Sequence, residues 1–218
     1  MKILNPEVHQ DLEAGRKLRL NVGCGMRRLP GFYNVDHIAL PGVDILADLE
    51  APLSELPDNC VEAVYCRHTL EHVNHLLELI AELHRVTHPE GRLEVIVPHF
   101  SNPYGYSDPT HVRFFGLYSF FYLADESDQP RRKVPNFYMK QRFRVENVRF
   151  NLLRTSFVDK LFRAVLQPLI NRSVGGLDWY ERRLCRLLPV DDIHWILRPL
   201  KQAAETTLPD RGAYRAAG

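Results

Sequence analysis

The chain has 218 residues, 45% of them hydrophobic and 25% charged, with a net charge of +1, a composition that suits a globular protein with its own core and excludes a low-complexity chain. Its four cysteines, Cys24, Cys60, Cys66 and Cys185, show neither CxxC pairing nor zinc-type spacing, so they read as reduced thiols. The first residues carry no apolar leader, and no stretch reaches the roughly eighteen apolar residues of a membrane span, so the expectation is a cytoplasmic protein.

From residue 16 onward, short apolar runs alternate with helical stretches, as in βα units stacked around a mostly parallel sheet. Residues 17–22 are predicted as the first strand, ending at Gly23-Cys24-Gly25. A short second strand ends at Asn34-Val35-Asp36, and a third, over 43–47, leads into Asp48-Leu49. Residues 63–66 read as a buried strand and 72–86 as a helix, with Leu76, Leu79, Ile80 and Leu83 on one face. Pro89-Glu90-Gly91 is a turn, and 92–98 a strand around Val95-Ile96-Val97. Residues 99–141 break the rhythm. They are rich in aromatics, Pro, His and Ser, and too long for an ordinary connection, as in a lid or a substrate-binding wall. Residues 142–150 alternate as a strand. Residues 157–171 repeat Phe157, Leu161, Val165 and Leu169 roughly every four positions, as an amphipathic helix does. A second helix is expected over 179–188, a last strand over 193–197 and a loose tail after about Gln202, giving one domain over 1–201.

The glycines of Gly23-Cys24-Gly25 allow a tight turn and close approach of a ligand to the backbone. A dinucleotide fingerprint would place a third glycine where Arg28 stands and open a helix there. No helix of normal length fits before Asp36, which argues against NAD or FAD. Asp36 ends the second strand, where a carboxylate can accept both hydroxyl protons of a ribose. Asp48 is placed to accept a hydrogen bond from an exocyclic amine.

Leu20-Asn21-Val22-Gly23-Cys24-Gly25, Asn34-Val35-Asp36, Asp48-Leu49, Leu70-Glu71-His72-Val73 and Leu83-His84-Arg85-Val86 with Pro89-Glu90-Gly91 occur in one order over residues 17–98. In this the chain resembles class I S-adenosylmethionine (SAM)-dependent methyltransferases of the type 11 kind, and most closely those of surface-polysaccharide and glycan biosynthesis. A weaker echo runs from Ser107 to Tyr118. The resemblance implies a Rossmann-like, seven-stranded α/β sheet with an inserted aromatic-rich substrate segment (99–141) and a helical C-terminal elaboration (142–201). It also implies SAM as cofactor. Asn21, Gly23, Cys24 and Gly25 would border its methionine part, Asp36 its ribose, Asp48 and Leu49 its adenine, and Arg67 and His68 would lie beside it. Asn21 stands where such enzymes often carry an acid, and Glu90 where they carry a second glycine.

Methyl transfer from a sulfonium is an in-line displacement in which alignment of donor and acceptor can supply roughly 7–11 kcal/mol. A hydroxyl acceptor also needs a base, worth about 10²–10⁴-fold. The catalytic candidates are His99, which follows the 92–98 strand, and His111, with Asp108 three residues upstream to orient its imidazole. Tyr104, Tyr106, Phe114, Phe115, Tyr118 and Phe121 make either an acceptor wall or the segment's own small core. His68, His72, His75, His84 and His88 are closely spaced, but no Cys or Asp/Glu set completes a site with them, so no metal is expected.

Charge is uneven along the chain: 10 Lys/Arg face 19 Asp/Glu over residues 1–130, against 16 and 6 over residues 131–201. The basic third, with Arg131-Arg132-Lys133, Arg182-Arg183 and the 157–171 helix, reads either as solvated helix faces or as a peripheral contact with an anionic membrane. The helix itself is expected to pack on the sheet. Nucleic acid is not an expected partner, because no RNA-binding motif is present and the pI is near neutral at 7.8. An oligomer remains open. The activity expected is methyl transfer to a hydroxyl or amine of a sugar, glycan precursor or related small metabolite. The alternatives are a methyltransferase acting on RNA or protein, or a SAM-binding subunit without catalysis.

Overall fold

The computed structural model describes residues 1–155 and 157–201; the expected loose tail lies outside the described residues. The chain runs through β1 (Lys2–Ile3), α1 (Pro6–Glu13), β2 (Leu18–Val22), β3 (Tyr33–Asp36), β4 (Ile45–Leu46), β5 (Val61–Arg67), α2 (Leu76–Val86), β6 (Thr87–Pro98), β7 (Arg142–Leu152), α3 (Phe157–Ile170), α4 (Val174–Arg183) and β8 (Val190–Leu200).

These eight strands form one mixed sheet in the order β1-β4-β3-β2-β5-β6-β8-β7. Strands β4, β3, β2, β5 and β6 are mutually parallel. Strand β8 runs antiparallel between β6 and β7. The seven expected strands become eight because Lys2–Ile3 pairs antiparallel with Ile45–Leu46 at one edge. The C-terminal third is also more than a helical elaboration, since β7 and β8 complete the sheet. After β2 the chain builds outward through β3 and β4, then returns to place β5 on the other side of β2. That reversal opens a crevice at the C-terminal ends of the parallel strands, the usual ligand position in open α/β sheets.

Core composition explains the central strands. Leu18, Leu20 and Val22 of β2, Val61, Val64 and Cys66 of β5, and Leu93, Val95 and Val97 of β6 are all buried, and their near-alternate spacing marks the core-facing side of each strand. Helix α2 lays Leu79, Ile80, Leu83 and Val86 onto this core. It starts later than its hydrophobic period suggests, because Leu70–His72 forms a separate 3-10 turn. The Glu50 carboxylate accepts N–H donors from Asn74 and His75, satisfying amides just ahead of the helix. Pro89-Glu90-Gly91 is not a free turn but a bulge inside β6: pairing jumps from Thr87 to Arg92 while β5 advances only from Val61 to Ala63. Helix α1 was not expected, although Asn5 accepts from the Glu7 amide and Pro6 sits in the first turn, which are ordinary start signals. Helix α4 begins at Val174 rather than 179, because the Ser173 hydroxyl caps it at the Gly176 amide. The four cysteines are free and buried.

In the C-terminal half the two readings of the aromatic segment divide between its rings, and one expectation, for α3, is corrected. In segment 99–141, Phe115, Tyr118, Phe120 and Phe121 are buried, and Phe120 and Phe121 meet the fully buried Trp195 of β8 edge-on at 5.3 and 5.5 Å. These rings form the segment's own core, while Tyr104, Tyr106 and Phe114 stay exposed. Helix α3 does not bury its predicted stripe: Leu161, Val165 and Leu169 are 59%, 60% and 47% exposed, whereas Ile170 is buried. Among the described residues no helix is long and apolar enough to cross a membrane.

Candidate functional site

A cavity of about 500 Å³ lies at the C-terminal ends of the parallel strands, within the usual size of a small-ligand site. Its wall is built from the residues that directly follow each strand: Gly23 and Gly25 after β2, Asp36 and His37 at the end of β3, Asp48, Leu49 and Glu50 after β4, and His68 and Thr69 after β5. His72 and Val73 from the following turn and Thr110 from segment 99–141 complete it.

The floor depends on glycine. Gly23 has φ +64°, and a Cβ there would lie 2.2 Å from both Cγ2 and Oγ1 of Thr69. Backbone conformation and space therefore both exclude a side chain. Gly25, at φ +50°, would direct a Cβ into open space, and its own amide donates to Asp36 Oδ2 at 2.8 Å. Asp36, only 6% exposed, also accepts from the Ile38 amide at 3.1 Å. The carboxylate thus ties the glycine turn to the end of β3 while lining the cavity. Each carboxylate oxygen has lone pairs beyond these bonds, so a diol can still be held there. Asp48 lies further along the wall, exposed and next to Leu49, with one oxygen accepting from the Glu50 amide. Open backbone at the glycine turn, a carboxylate for a diol, and a carboxylate beside an apolar residue for a base together fit a nucleoside-bearing cofactor.

His68 adopts φ +52°, which a side chain rarely does and which is often found at functional sites. Its Nε2 meets Asp192 Oδ1 at 2.9 Å. That bond raises the His68 pKa, against the opposing effect of burial. Three of the residues expected at the cofactor do not line the cavity. Asn21 is 3% exposed and donates to Asn34 Oδ1 and the Arg27 carbonyl, so it braces the turn from beneath. Cys24 is buried, and burial, helped by Asp36, pushes its thiol up to about 11. Arg67 ends β5 without reaching the wall. Conversely, His37, Glu50, Thr69, His72, Val73 and Thr110 line the cavity. Adjacency to a predicted strand end could have flagged His37 and Thr69; nothing local marks Thr110.

His99 is corrected from a catalytic candidate to a structural residue. It is 1% exposed; its Nδ1 accepts from the Ser101 amide at 3.0 Å, and Nε2 therefore carries the proton shared with Glu181 Oε1 at 3.1 Å. Burial lowers its pKa. The ring is a neutral tie between the end of β6 and α4, away from the cavity. Asp108 and His111 are brought near one another, but not as an oriented pair: His111 Nε2 stands 3.8 Å from Asp108 Oδ2, beyond hydrogen-bond reach. His111 is fixed instead by Gly105, whose carbonyl accepts from Nδ1 at 2.8 Å. Asp108 accepts from the Thr110 hydroxyl at 2.6 Å. With its proton so committed, Thr110 Oγ1 accepts from His72 Nδ1 at 2.9 Å. Both imidazoles therefore keep an Nε2 lone pair. The rings of His72 and His111 pack edge-on with centroids 4.8 Å apart. Beneath them Glu71 is 1% exposed, with no hydrogen-bond partner on either carboxylate oxygen. Burial raises its pKa, opposed first by its own backbone amide and then by the neighbouring His68, His72 and His111.

Residues 34–95 match a family model described as a methyltransferase domain. Two solved structures share the fold: the YcgJ protein of Bacillus subtilis (13% identity, TM-score 0.51, covering 90% of this chain and 98% of that one), and a candidate methyltransferase of Bacillus halodurans C-125 (15% identity, TM-score 0.50, covering 89% and 99%). A SAM-dependent methyltransferase of Archaeoglobus fulgidus aligns over 88% of this chain and 91% of its own, at 16% identity and TM-score 0.46. No curated protein matches the chain.

Proposed function

We propose that this SAM-dependent methyltransferase delivers its methyl group to a hydroxyl or amine of a sugar, a glycan precursor or a related small metabolite. The observation that carries the reading is the cavity wall. Asp36 and Asp48 suit the ribose and adenine of SAM, while His72 and Thr110 add a polar surface from outside the cofactor motifs. Bound SAM supplies the electrophilic methyl; what the chain supplies is alignment and a place for the acceptor's proton. Gly23 and Gly25 let the backbone come close to the cofactor, and Asp36 holds the turn that contains them. The Nε2 atoms of His72 and His111 are the basic groups beside this end of the cavity.

The polar groups Asp108, Thr110 and His72 suit an acceptor rich in hydroxyls. Tyr106 and Phe114, exposed and stacked at 4.4 Å in the same segment, suit a ring that packs on an aromatic face. The basic third is partly neutralised, Arg144 by Asp128 and Arg198 by Glu90 and Glu146. We further propose that the exposed Leu161, Val165 and Leu169 of α3, with the remaining Lys and Arg of this third, make a peripheral contact with an anionic membrane. The test of the acceptor class is a screen of nucleotide-linked and lipid-linked sugars for S-adenosylhomocysteine release. Turnover on members of this class alone supports the reading; turnover confined to RNA or protein substrates overturns it.

A further inference from the structure

Three donor groups meet beside the cavity, with only His72 on its wall, in an arrangement that packing does not explain. Glu71 and His72 belong to the 3-10 turn after β5 and His111 to the segment after β6, yet one donor atom from each lies within 4.8 Å of the other two. A buried carboxylate is ordinarily retained because it is paired, hydrogen-bonded or bound to a metal. Glu71 is 1% exposed, and neither oxygen has a hydrogen-bond partner. The groups facing it are imidazoles whose Nδ1 atoms are already used: His72 donates to Thr110, which donates to Asp108, and His111 donates to the Gly105 carbonyl. Outer-sphere bonds of this kind fix the tautomer and ring orientation of metal-binding histidines and leave Nε2 as the nitrogen free to ligate.

We propose that Glu71, His72 and His111 bind a divalent cation that takes the acceptor's hydroxyl oxygen as a further ligand. Donors on one ion stand roughly 2.0–2.2 Å from it, so the cluster needs to close by about 1 Å or a little more, within reach of side-chain rotation. Two imidazoles and one carboxylate suit borderline ions such as Zn²⁺, Co²⁺ or Mn²⁺ better than the all-oxygen shells of Mg²⁺ or Ca²⁺. Three protein ligands leave coordination positions open, as catalytic sites do. Because His72 lines the cavity, those positions lie where an acceptor would meet the cofactor.

The role of the ion rests on the methyltransferase reading. A hydroxyl bound to a divalent cation loses its proton more readily, which removes the need for a free histidine base. The acceptor proton leaves to solvent past exposed Asp108. An oxygen lone pair then forms the bond to the methyl carbon, and the carbon–sulfur pair stays on sulfur, giving the methyl ether and S-adenosylhomocysteine. His111 is thereby a ligand rather than a base.

The test is a Co²⁺ titration of the chelator-treated full chain, followed by calorimetry and visible absorption, with S-adenosylhomocysteine binding measured separately. One Co²⁺ per chain is expected. Glu71→Gln and His111→Ala should weaken it at least about 100-fold and Thr110→Val about 10–100-fold, while His9→Ala, on the exposed side of α1, should leave it unchanged. Neither Glu71 nor His111 lines the cavity, so retained S-adenosylhomocysteine binding shows that these variants are folded. If Glu71→Gln does not fold, His111→Ala and Thr110→Val decide. No Co²⁺ binding in a wild type that binds S-adenosylhomocysteine overturns the site, as does binding undiminished in the folded variants. Co²⁺ binding at these residues without any S-adenosylhomocysteine binding leaves the site standing and removes the cofactor reading instead.

Discussion

Replacing Asp36 with alanine separates its two duties. In the protein alone, the carboxylate accepts from the Gly25 amide at 2.8 Å and the Ile38 amide at 3.1 Å. In the cofactor complex it would also accept from the ribose hydroxyls. Hydrogen bonds to a charged acceptor are worth about 1.5–3 kcal/mol each where fully formed, and less where water competes. Asp36 is buried but the cavity is open, so the ribose contribution should be about 2–3 kcal/mol in total. That corresponds to a loss of roughly 30–150-fold in affinity for S-adenosylhomocysteine. Losing the two amide contacts should cost a further ~3 kcal/mol of folding stability, since both are made to a buried carboxylate. Calorimetry on wild type and Asp36→Ala measures the first effect, and urea unfolding of both proteins without ligand measures the second. An unchanged dissociation constant in a folded variant would refute the ribose assignment. So would an affinity loss that only tracks the fraction unfolded, because Asp36 would then be a brace for the turn and nothing more.

Gly23→Ala should destabilise the chain by about 1–3 kcal/mol in thermal unfolding, since its φ of +64° and the 2.2 Å approach of Thr69 both oppose a Cβ. Adding Thr69→Ala should recover the steric part but not the backbone part; full recovery would show that φ at Gly23 is not constrained. The His68 pKa is raised by Asp192, so this pair stabilises the fold fully below the unfolded histidine value of about 6.5 and loses its effect as pH rises through the folded value. Asp192→Asn should therefore return the His68 titration, followed by NMR, toward the ordinary range and narrow the stability gap to wild type above neutral pH; an unmoved titration would remove Asp192 as the cause. Exchanging Leu161, Val165 and Leu169 for glutamine should abolish sedimentation with anionic vesicles while leaving thermal stability within about 0.5 kcal/mol, since all three are exposed. A loss of several kcal/mol would mean that the stripe packs inward, and equal sedimentation of both proteins would remove the membrane contact.

Much of the site is legible because it is local. An apolar strand must be followed by whatever its C-terminal end presents, so Gly23, Gly25, Asp36, Asp48, Leu49 and His68 could be placed from position in the chain, and all six line the cavity. Locality misleads where two neighbours in sequence face opposite ways. Asn21 and Cys24 adjoin the two glycines yet are buried off the cavity wall, Asn21 held there by Asn34 and the Arg27 carbonyl. Periodicity on 157–171 correctly gave a helix, but a helical stripe reports only that apolar side chains share a face, and α3 turns that face to solvent.

What only the tertiary structure decided are the meetings between distant segments. Strand β8 inserts between β6 and β7 although it follows both in the chain, and Trp195 on it claims the aromatic rings of segment 99–141 for the core. Glu181, from α4, takes His99 out of the chemistry. Thr110 and His111 come to His72 across 38 and 39 residues, on a segment of loops and short 3-10 turns whose path no pattern encodes. Sequence therefore determined the side of the cavity built at the strand ends, where each residue is fixed by the strand before it. The opposite side depends on which loops the completed sheet brings together, and that is set by long-range packing rather than by any local period.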